Sequence, residues 1–243
     1  MSVLEVRLDR LRRHFGDSLL TILTLLLALL MFVFAPLQAA GVIVYQAMGF
    51  FVALALIAGA VILSASKSAF MLMLLALIIN IVAAIRRTHA PSDIDILLVA
   101  SGWLIVAMTL GWVVARVVFG SGPVNYHRIV GAVLLYLLIA IIFASLFVFV
   151  DLIFPQAFSG LTVADTPGLA SNLIYFSLVT LTSTGYGDIF PVHPIARSLC
   201  NLETIIGQLF PATLLARLVT LELATQGPRT PEDGGRDNRG SDG

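Results

Sequence analysis

Long runs of apolar residues, separated by short stretches rich in polar residues, Gly or Pro, occupy most of the chain. A helix needs about 20 apolar residues to cross the hydrocarbon core of a bilayer. Six runs reach or approach that length, at 18–35, 41–63, 69–85, 94–119, 128–154 and 194–223. We expect Pro36 to end the first run, because proline disrupts a helix interior. The pattern predicts an all-α integral membrane protein with six transmembrane helices.

The composition of the chain agrees with a membrane protein. Of the 243 residues, 59% are hydrophobic and 12% are charged, whereas a soluble domain is about half apolar and about a quarter charged. The one cysteine, Cys200, lies in an apolar run, which excludes a disulfide within the chain and favours an inert buried thiol. We expect membrane lipid around the helices, and neither a nucleic-acid partner nor a small-molecule substrate.

The basic residues orient the predicted helices, because membrane proteins concentrate Lys and Arg in their cytoplasmic loops. With six helices and both termini in the cytoplasm, most of the basic residues fall on or near that side. The exceptions are Arg86, Arg87 and Arg197. Acidic residues in the same short loop are expected to offset the Arg86–Arg87 pair. Four residues are expected to lie in solvated loops, namely His89, Asp93, Asp95 and His127.

The two ends of the chain differ from its apolar middle. Segment 1–17 has arginines and apolar residues at helical spacing, and is predicted to be a cytoplasmic amphipathic segment on the membrane surface. Segment 18–122 is predicted to be a four-helix transmembrane domain. Residues 225–243 are mostly Gly, Pro, Asp and Arg without apolar periodicity, so we expect a disordered cytoplasmic tail.

One short motif lies between the last two predicted helices: Thr180-Leu181-Thr182-Ser183-Thr184-Gly185-Tyr186-Gly187-Asp188. It follows an apolar stretch, 171–179, which is too short to span and would have to re-enter the membrane from one side. The motif resembles the selectivity filter of potassium channels, in which backbone carbonyls replace the hydration shell of K⁺. Gly-Tyr-Gly-Asp alone also suits an ordinary turn, but the hydroxyl residues before it and the flanking apolar runs favour the filter.

The residue types of this motif suit a filter. Successive carbonyls face one axis if the backbone alternates between ordinary and left-handed dihedrals, and glycine adopts the latter without steric cost, which fits Gly185 and Gly187. The resemblance implies K⁺ ligands at Ser183, Thr184, Gly185, Tyr186 and Gly187, with Thr182, Asp188 and Glu203 as filter support. Tyr186 is expected to pack behind the filter, and Asp188 to concentrate cations at the outer mouth.

Two positions of the motif depart from the commonest pattern of the potassium-channel family. Ser183 stands where Thr is usual, and Thr184 stands where Val is usual. Both residues keep a backbone carbonyl, so we expect passive, K⁺-selective conduction with K⁺ as the permeant ligand and no cofactor. A less selective monovalent cation channel remains open as an alternative.

The resemblance covers a predicted pore domain, 123–224, in the order outer helix, extracellular turret, pore helix, filter and inner helix. Ser171 is expected to be the N-cap of the re-entrant pore helix, which would run to about Leu181. Because each chain supplies one filter, membership of this family implies a fourfold homotetramer.

The last apolar run carries the residues that would control the inner pore. Gly207 falls where the family has a hinge glycine, although glycine in a membrane helix also permits close packing. By the same resemblance Gln208, Pro211 and Leu215 line the cavity, and packing between helices remains an alternative for Gln208.

Glu203 is a carboxylate within an apolar run, which is costly and therefore indicates a function. We expect it to bond to groups of the pore helix or filter, in a protonated form, and to steady the filter. A local bond to Thr204 or Asn201 is the alternative.

The fourth predicted helix lacks the series of arginines that a voltage sensor needs, since Arg116 is its one arginine. We therefore expect weak or no voltage sensing. A membrane enzyme that uses Asp188, His193 and Glu203 is an alternative from another class, but the chain has no ligand spacing such as HExxH, and we expect no enzyme. The preference for Arg over Lys indicates a bacterial gene, and hence the inner cell membrane.

Overall fold

The structure is a computed structural model that describes residues 20–42, 67–87, 92–120 and 126–225. The helices within these ranges are α1 (Leu20–Ala39), α2 (Lys67–Arg87), α3 (Asp93–Phe119), α4 (Tyr126–Ile153), α5 (Leu169–Leu181) and α6 (Pro194–Thr225). Two short strands, β1 (Phe158–Ser159) and β2 (Phe190–Pro191), pair in antiparallel fashion. Outside the described residues lie segment 1–17, nearly all of the predicted span 41–63, His89 and the tail after Thr225.

Five helices of the described part are long and apolar enough to cross a membrane, namely α1, α2, α3, α4 and α6. Each corresponds to one of the predicted runs, which confirms a mostly helical chain with membrane-spanning helices. The remaining predicted span is the one outside the described residues. Helix α5 has 13 residues and is therefore too short to span a bilayer.

Helix α1 continues through Pro36, so the prediction that Pro36 ends the first span is wrong. A π-helical turn, Leu30–Phe34, directly precedes the α-helical residues Ala35–Ala39. Proline lacks an N–H and its ring crowds the carbonyl four residues earlier. The i→i+5 bonding of a π turn relieves that crowding, and α1 ends only before Gly41, which has a φ of +74°.

Helix α4 is central to the chain. It packs along α3 and also against α5 and α6, while α2 packs against α3. One apolar cluster joins α1, α2, α3 and α4. A second cluster joins one end of α4 to β1 and α5 through Phe147, whose ring centroid lies 5.3 Å from that of Phe158 and 5.0 Å from that of Phe176. The aromatic cluster fixes the short helix α5 against the end of α4.

Charged groups hold the end of α2 to the start of α3. Asp95 is fully buried, so the prediction that it is solvated is wrong. Its carboxylate accepts a hydrogen bond from Arg86 Nε at 3.0 Å and forms a capping box with Ser92. These bonds offset the cost of burying the charge. Arg87 instead forms an ion pair with Asp165, in the connection between β1 and α5, with a Nε–Oδ2 distance of 3.0 Å.

Two helix starts differ from the predictions. Helix α5 begins at Leu169 with Gly168 as its N-cap, and not at Ser171. The Leu169 N–H donates to the Thr166 carbonyl at 3.2 Å, so a backbone turn takes the place of a side-chain cap. His127 lies in helix α4 and not in a loop, because that helix begins at Tyr126.

Candidate functional site

The motif after α5 forms a non-helical segment, 182–188, whose residues are all exposed in the single chain. Its first residues still bond to the end of α5. The Thr182 N–H donates to the Leu178 carbonyl at 3.0 Å, and the Thr184 N–H donates to the Val179 carbonyl at 2.9 Å. The segment therefore leaves α5 directly from its C-terminal end, where the helix dipole is negative.

The backbone of this segment alternates in handedness. Ser183, Gly185 and Gly187 have φ values of 58°, 58° and 83°, in the left-handed region, and the two residues between them do not. A Cβ at Gly185 or Gly187 would meet no atom of the described residues within 4 Å, so it is the dihedral angle and not a lack of space that favours glycine there. The sequence predicted the left-handed conformation of the two glycines but not that of Ser183, because serine gives no signal for a positive φ.

Hydroxyl and amide groups meet at the α5 end of the segment. Gln208 Nε2 on α6 donates a hydrogen bond to Ser183 Oγ at 2.8 Å. The hydroxyls of Thr182 and Thr184 lie 2.8 Å apart, and the Thr182 hydroxyl donates to the Leu178 carbonyl at 2.7 Å. The side chains of Ser183 and Thr184 are thus both hydrogen-bonded within the chain.

At the other end, Asp188 and Tyr186 both contact Tyr175 of α5. The Tyr175 hydroxyl donates to Asp188 Oδ2 at 2.9 Å, and the Tyr175 and Tyr186 rings are parallel with centroids 6.2 Å apart. The Tyr186 side chain is 70% exposed in the single chain. Within one chain Tyr186 thus contacts only the Tyr175 ring among the described aromatic contacts, and its packing behind the filter stays a prediction.

The connection between α4 and α5, which corresponds to the predicted turret, contacts the same end of the motif. Phe158 and Ser159 of β1 pair with Pro191 and Phe190 of β2, immediately after the motif. Gly160, which has a φ of +78°, then lies against the Asp188 carbonyl, and a Cβ at Gly160 would overlap it. Gly160 has no signal in the sequence, because its approach to Asp188 depends on a strand pairing that joins distant residues.

Helix α6 approaches the end of α5 at Gly207. A Cβ at Gly207 would overlap the carbonyl of Leu181, the last residue of α5. One turn earlier, the Thr204 hydroxyl donates to the Thr180 carbonyl at 3.3 Å. The geometry thus gives Gly207 a close-packing role, and its predicted role as a hinge remains a prediction.

Glu203 is fully buried and its carboxyl group contacts Ser177 of α5. The Ser177 hydroxyl also lies 2.8 Å from the Ala140 carbonyl of α4, so these three groups connect α4, α5 and α6. Glu203 Oε2 has no hydrogen-bond partner among the described residues. One serine proton cannot serve both neighbouring acceptors, so a proton on Glu203 would satisfy the cluster. Sequence reasoning missed Ser177, whose signal is a lone hydroxyl in the apolar α5.

The remaining predicted cavity residues lie on α6. Gln208, Pro211 and Leu215 are exposed in the single chain, and Leu215 is 63% exposed. Pro211 lies inside the helix and cannot donate to the carbonyl of Gly207, four residues before it. A weakened helical turn therefore follows the point where α6 is packed on α5.

The residues of the alternative enzyme site have different surroundings. Asp188 contacts Tyr175, and the His193 ring stacks on Phe154 with centroids 4.3 Å apart. Glu203 is buried against Ser177. Among the described residues no group of three or more His, Cys, Asp or Glu side chains could hold a metal ion.

Comparison with known proteins adds one match. Residues 131–222 match the model of a protein family described as "Ion channel", and this range includes most of α4, all of α5, the motif and nearly all of α6. It covers less than half of the chain. No curated protein and no solved structure matches the chain. The match and the apolar helices support a helical membrane protein that conducts ions passively.

Proposed function

We propose that the chain is one subunit of a passive K⁺-selective channel, and that Ser183, Thr184, Gly185, Tyr186 and Gly187 form its filter. The observation that carries this proposal is the left-handed backbone at Ser183, Gly185 and Gly187, inside the matched region and directly after a short apolar helix. Alternating dihedrals turn successive carbonyls to one side, where they can replace the water around K⁺. Thr182, Asp188 and Glu203 support the filter.

The charges around the motif favour a cation. The C-terminal end of α5, which is the negative end of its dipole, adjoins Thr182. The carboxylate of Asp188 at the other end of the motif would concentrate cations at the outer mouth. Both features attract cations without binding one tightly, as conduction requires.

A channel of this type needs several chains, because one segment cannot surround an ion. We propose a fourfold homotetramer in the inner membrane of a bacterial cell, with both termini in the cytoplasm. Two features of the single chain support it: the motif is exposed along its length, and α6 exposes a series of large apolar residues. These are Leu202, Ile205, Leu209, Leu215 and Val219. Lipid and neighbouring subunits would cover them.

The inner part of the proposed pore is formed by α6. Gln208, Pro211 and Leu215 would line the cavity, and Gly207 would be its hinge, since glycine weakens a helix locally. The missing N–H of Pro211 supports bending at the same place. Unchanged single-channel gating in a Gly207→Ala protein that still assembles would exclude the hinge.

A less selective monovalent cation channel is the second candidate. The observation in its favour is that the hydroxyls of Ser183 and Thr184 are held by Gln208 and Thr182. The Ser183 hydroxyl would then be less free to turn toward a dehydrated K⁺ at the inner end of the filter. Reversal potentials in opposed K⁺ and Na⁺ gradients separate the two candidates.

The proposed filter is tested by K⁺ efflux from liposomes that contain the purified protein. We expect Ba²⁺-sensitive K⁺ efflux, and we expect Gly185→Ala to reduce it at least about tenfold, because a side chain at positive φ is strained and would displace the carbonyls. Gly41→Ala is the matched control, since Gly41 also has a positive φ with open space around it but lies outside the motif. Equal efflux in both variants would contradict the proposal.

A further inference from the structure

The guanidinium of Arg217, on α6, contacts the C-terminal end of α3. Nη1 donates to the Val118 carbonyl at 3.1 Å, and Nη2 lies 2.8 Å from the Phe119 carbonyl and 2.6 Å from the Gly120 carbonyl. The guanidinium carbon also lies over the Phe119 ring, 5.5 Å from its centroid. We name this set of contacts the Arg217 clamp.

The chemistry of the helix end explains why an arginine suits this position. The last carbonyls of a helix have no partner within the helix and carry the negative end of its dipole. A guanidinium has a planar set of donors that can serve several such carbonyls at once. Arg128, near the start of α4, donates to the Gly120 carbonyl as well, at 2.8 Å. Arg128 and the Arg217 clamp therefore together join the end of α3 to both α4 and α6.

Aromatic packing extends the clamp along α6. The Phe119 ring packs edge-on against Phe210, with centroids 6.3 Å apart, and Phe210 lies 5.7 Å from the Tyr136 ring of α4. The Tyr136 hydroxyl lies 3.4 Å from the Leu181 carbonyl, next to the motif. A continuous set of contacts thus connects the end of α3 to the region where α6 meets α5.

Helix α6 is consequently held at two points on either side of its weak turn. Gly207 is packed on the Leu181 carbonyl, and Arg217 is bound to the end of α3. Pro211, which cannot complete the helical bond to Gly207, lies between them. If the part of α6 after Pro211 moves to widen an inner gate, Arg217 has to leave the three carbonyls of α3.

We propose that the Arg217 clamp is a latch through which the N-terminal helical domain holds the inner helix in its unbent, closed position. This inference rests on the proposed channel function and assigns a gating role to helices outside the matched region. In this proposal the C-terminal end of α3 controls the gate. Because α3 has one arginine, Arg116, this control does not require charge to move through the membrane.

The test compares Arg217→Gln with Arg217→Lys and with Arg116→Gln. Arg116 is the matched control, because it lies in the last turn of α3 but stacks on Trp112 of the same helix, 4.9 Å from its ring centroid. We expect Arg217→Gln to raise resting K⁺ efflux about tenfold or more, since hydrogen bonds to a charged group are lost from the closed form only. Arg217→Lys should raise it less, and Arg116→Gln should leave it unchanged.

Hydrogen exchange measured by mass spectrometry provides a readout that does not depend on conduction. If Arg217 caps α3, Arg217→Gln should speed the exchange of amides in the last turn of α3, and Arg116→Gln should not. Unchanged exchange, or faster exchange with unchanged efflux, would overturn the latch. Absence of K⁺ efflux from the unmodified protein would contradict the proposed function instead, so the two failures are distinguishable.

Discussion

At the scale of single residues, buried polar groups decide how the helices meet. Glu203 is the clearest example, because its carboxyl group lies between α4, α5 and α6 with Ser177 as its contact. An ionised carboxylate in this place would be costly, whereas a protonated one can donate to the serine hydroxyl while that hydroxyl donates to Ala140. The cluster can therefore hold α5, and with it the motif, as a neutral unit.

This interpretation predicts that Glu203→Gln behaves like the unmodified protein and that Glu203→Ala does not. Glutamine keeps the shape and a donor, while alanine leaves a cavity and removes a partner from Ser177. We expect Glu203→Ala to lower stability by about 1–3 kcal/mol, because it leaves a cavity and removes a buried hydrogen bond, and to shorten the time for which the filter conducts. Thermal unfolding and K⁺ efflux measure these effects. Equal damage by both substitutions would show that the negative charge itself is required.

At the scale of elements, two ion pairs start from the end of α2, and one of them connects α2 to the turret. Arg86 and Arg87 are neighbours at the end of α2 but have different partners: Asp95 at the start of α3, and Asp165 before α5. The first pair closes a helical hairpin. The second joins α2 to the segment that leads into α5, and both of its side chains are largely buried, with 22% and 18% exposure.

A double-mutant cycle tests the connection between α2 and the turret. Arg87→Gln, Asp165→Asn and the double variant should give a coupling energy of about 1 kcal/mol or more in thermal unfolding, because a partly buried, two-point ion pair is stronger than an exposed one. The control is the cycle of Arg86→Gln with Asp165→Asn, whose coupling should be near zero. If the coupling energy in the first cycle is as small as in the control, the ion pair does not stabilise the contact between α2 and the turret.

At the scale of the whole molecule, the arrangement of charge decides how the proposed channel responds to voltage. Moving one charge across the membrane is worth about 2.3 kcal/mol per 100 mV, so steep gating needs several charges on mobile helices. The described part of α3 has Asp93 and Asp95 at its start and Arg116 at its end, and an apolar stretch between them. Arg116 is also held on Trp112.

We therefore expect a shallow conductance–voltage relation. The measurement is the current through purified protein in planar bilayers between about −100 and +100 mV, the range over which a sensor with several charges would respond fully. Because the arginine count is a property of each subunit, assembly cannot supply the missing charges. A gating charge of several elementary units per subunit would contradict this expectation.

The sequence alone determined the features that depend on neighbouring residues. The lengths of the apolar runs fixed the described spans, since crossing a bilayer depends on length and hydropathy. The alternation of glycine in the motif predicted its left-handed backbone at Gly185 and Gly187. Even here, local rules failed where the backbone found another partner: the π turn carries α1 past Pro36, and a turn replaces the expected cap at Ser171.

Only the tertiary structure decided which distant groups meet. Four contacts join residues that are far apart in the chain. They are Glu203 with Ser177, Gly207 with Leu181, Arg87 with Asp165, and Arg217 with the end of α3. Asp95 is buried because Arg86 and Ser92 satisfy it, whereas its place in a predicted loop led us to expect a solvated side chain. Periodicity and composition describe the surface that a helix offers, but the partner of a buried polar group depends on how the helices pack.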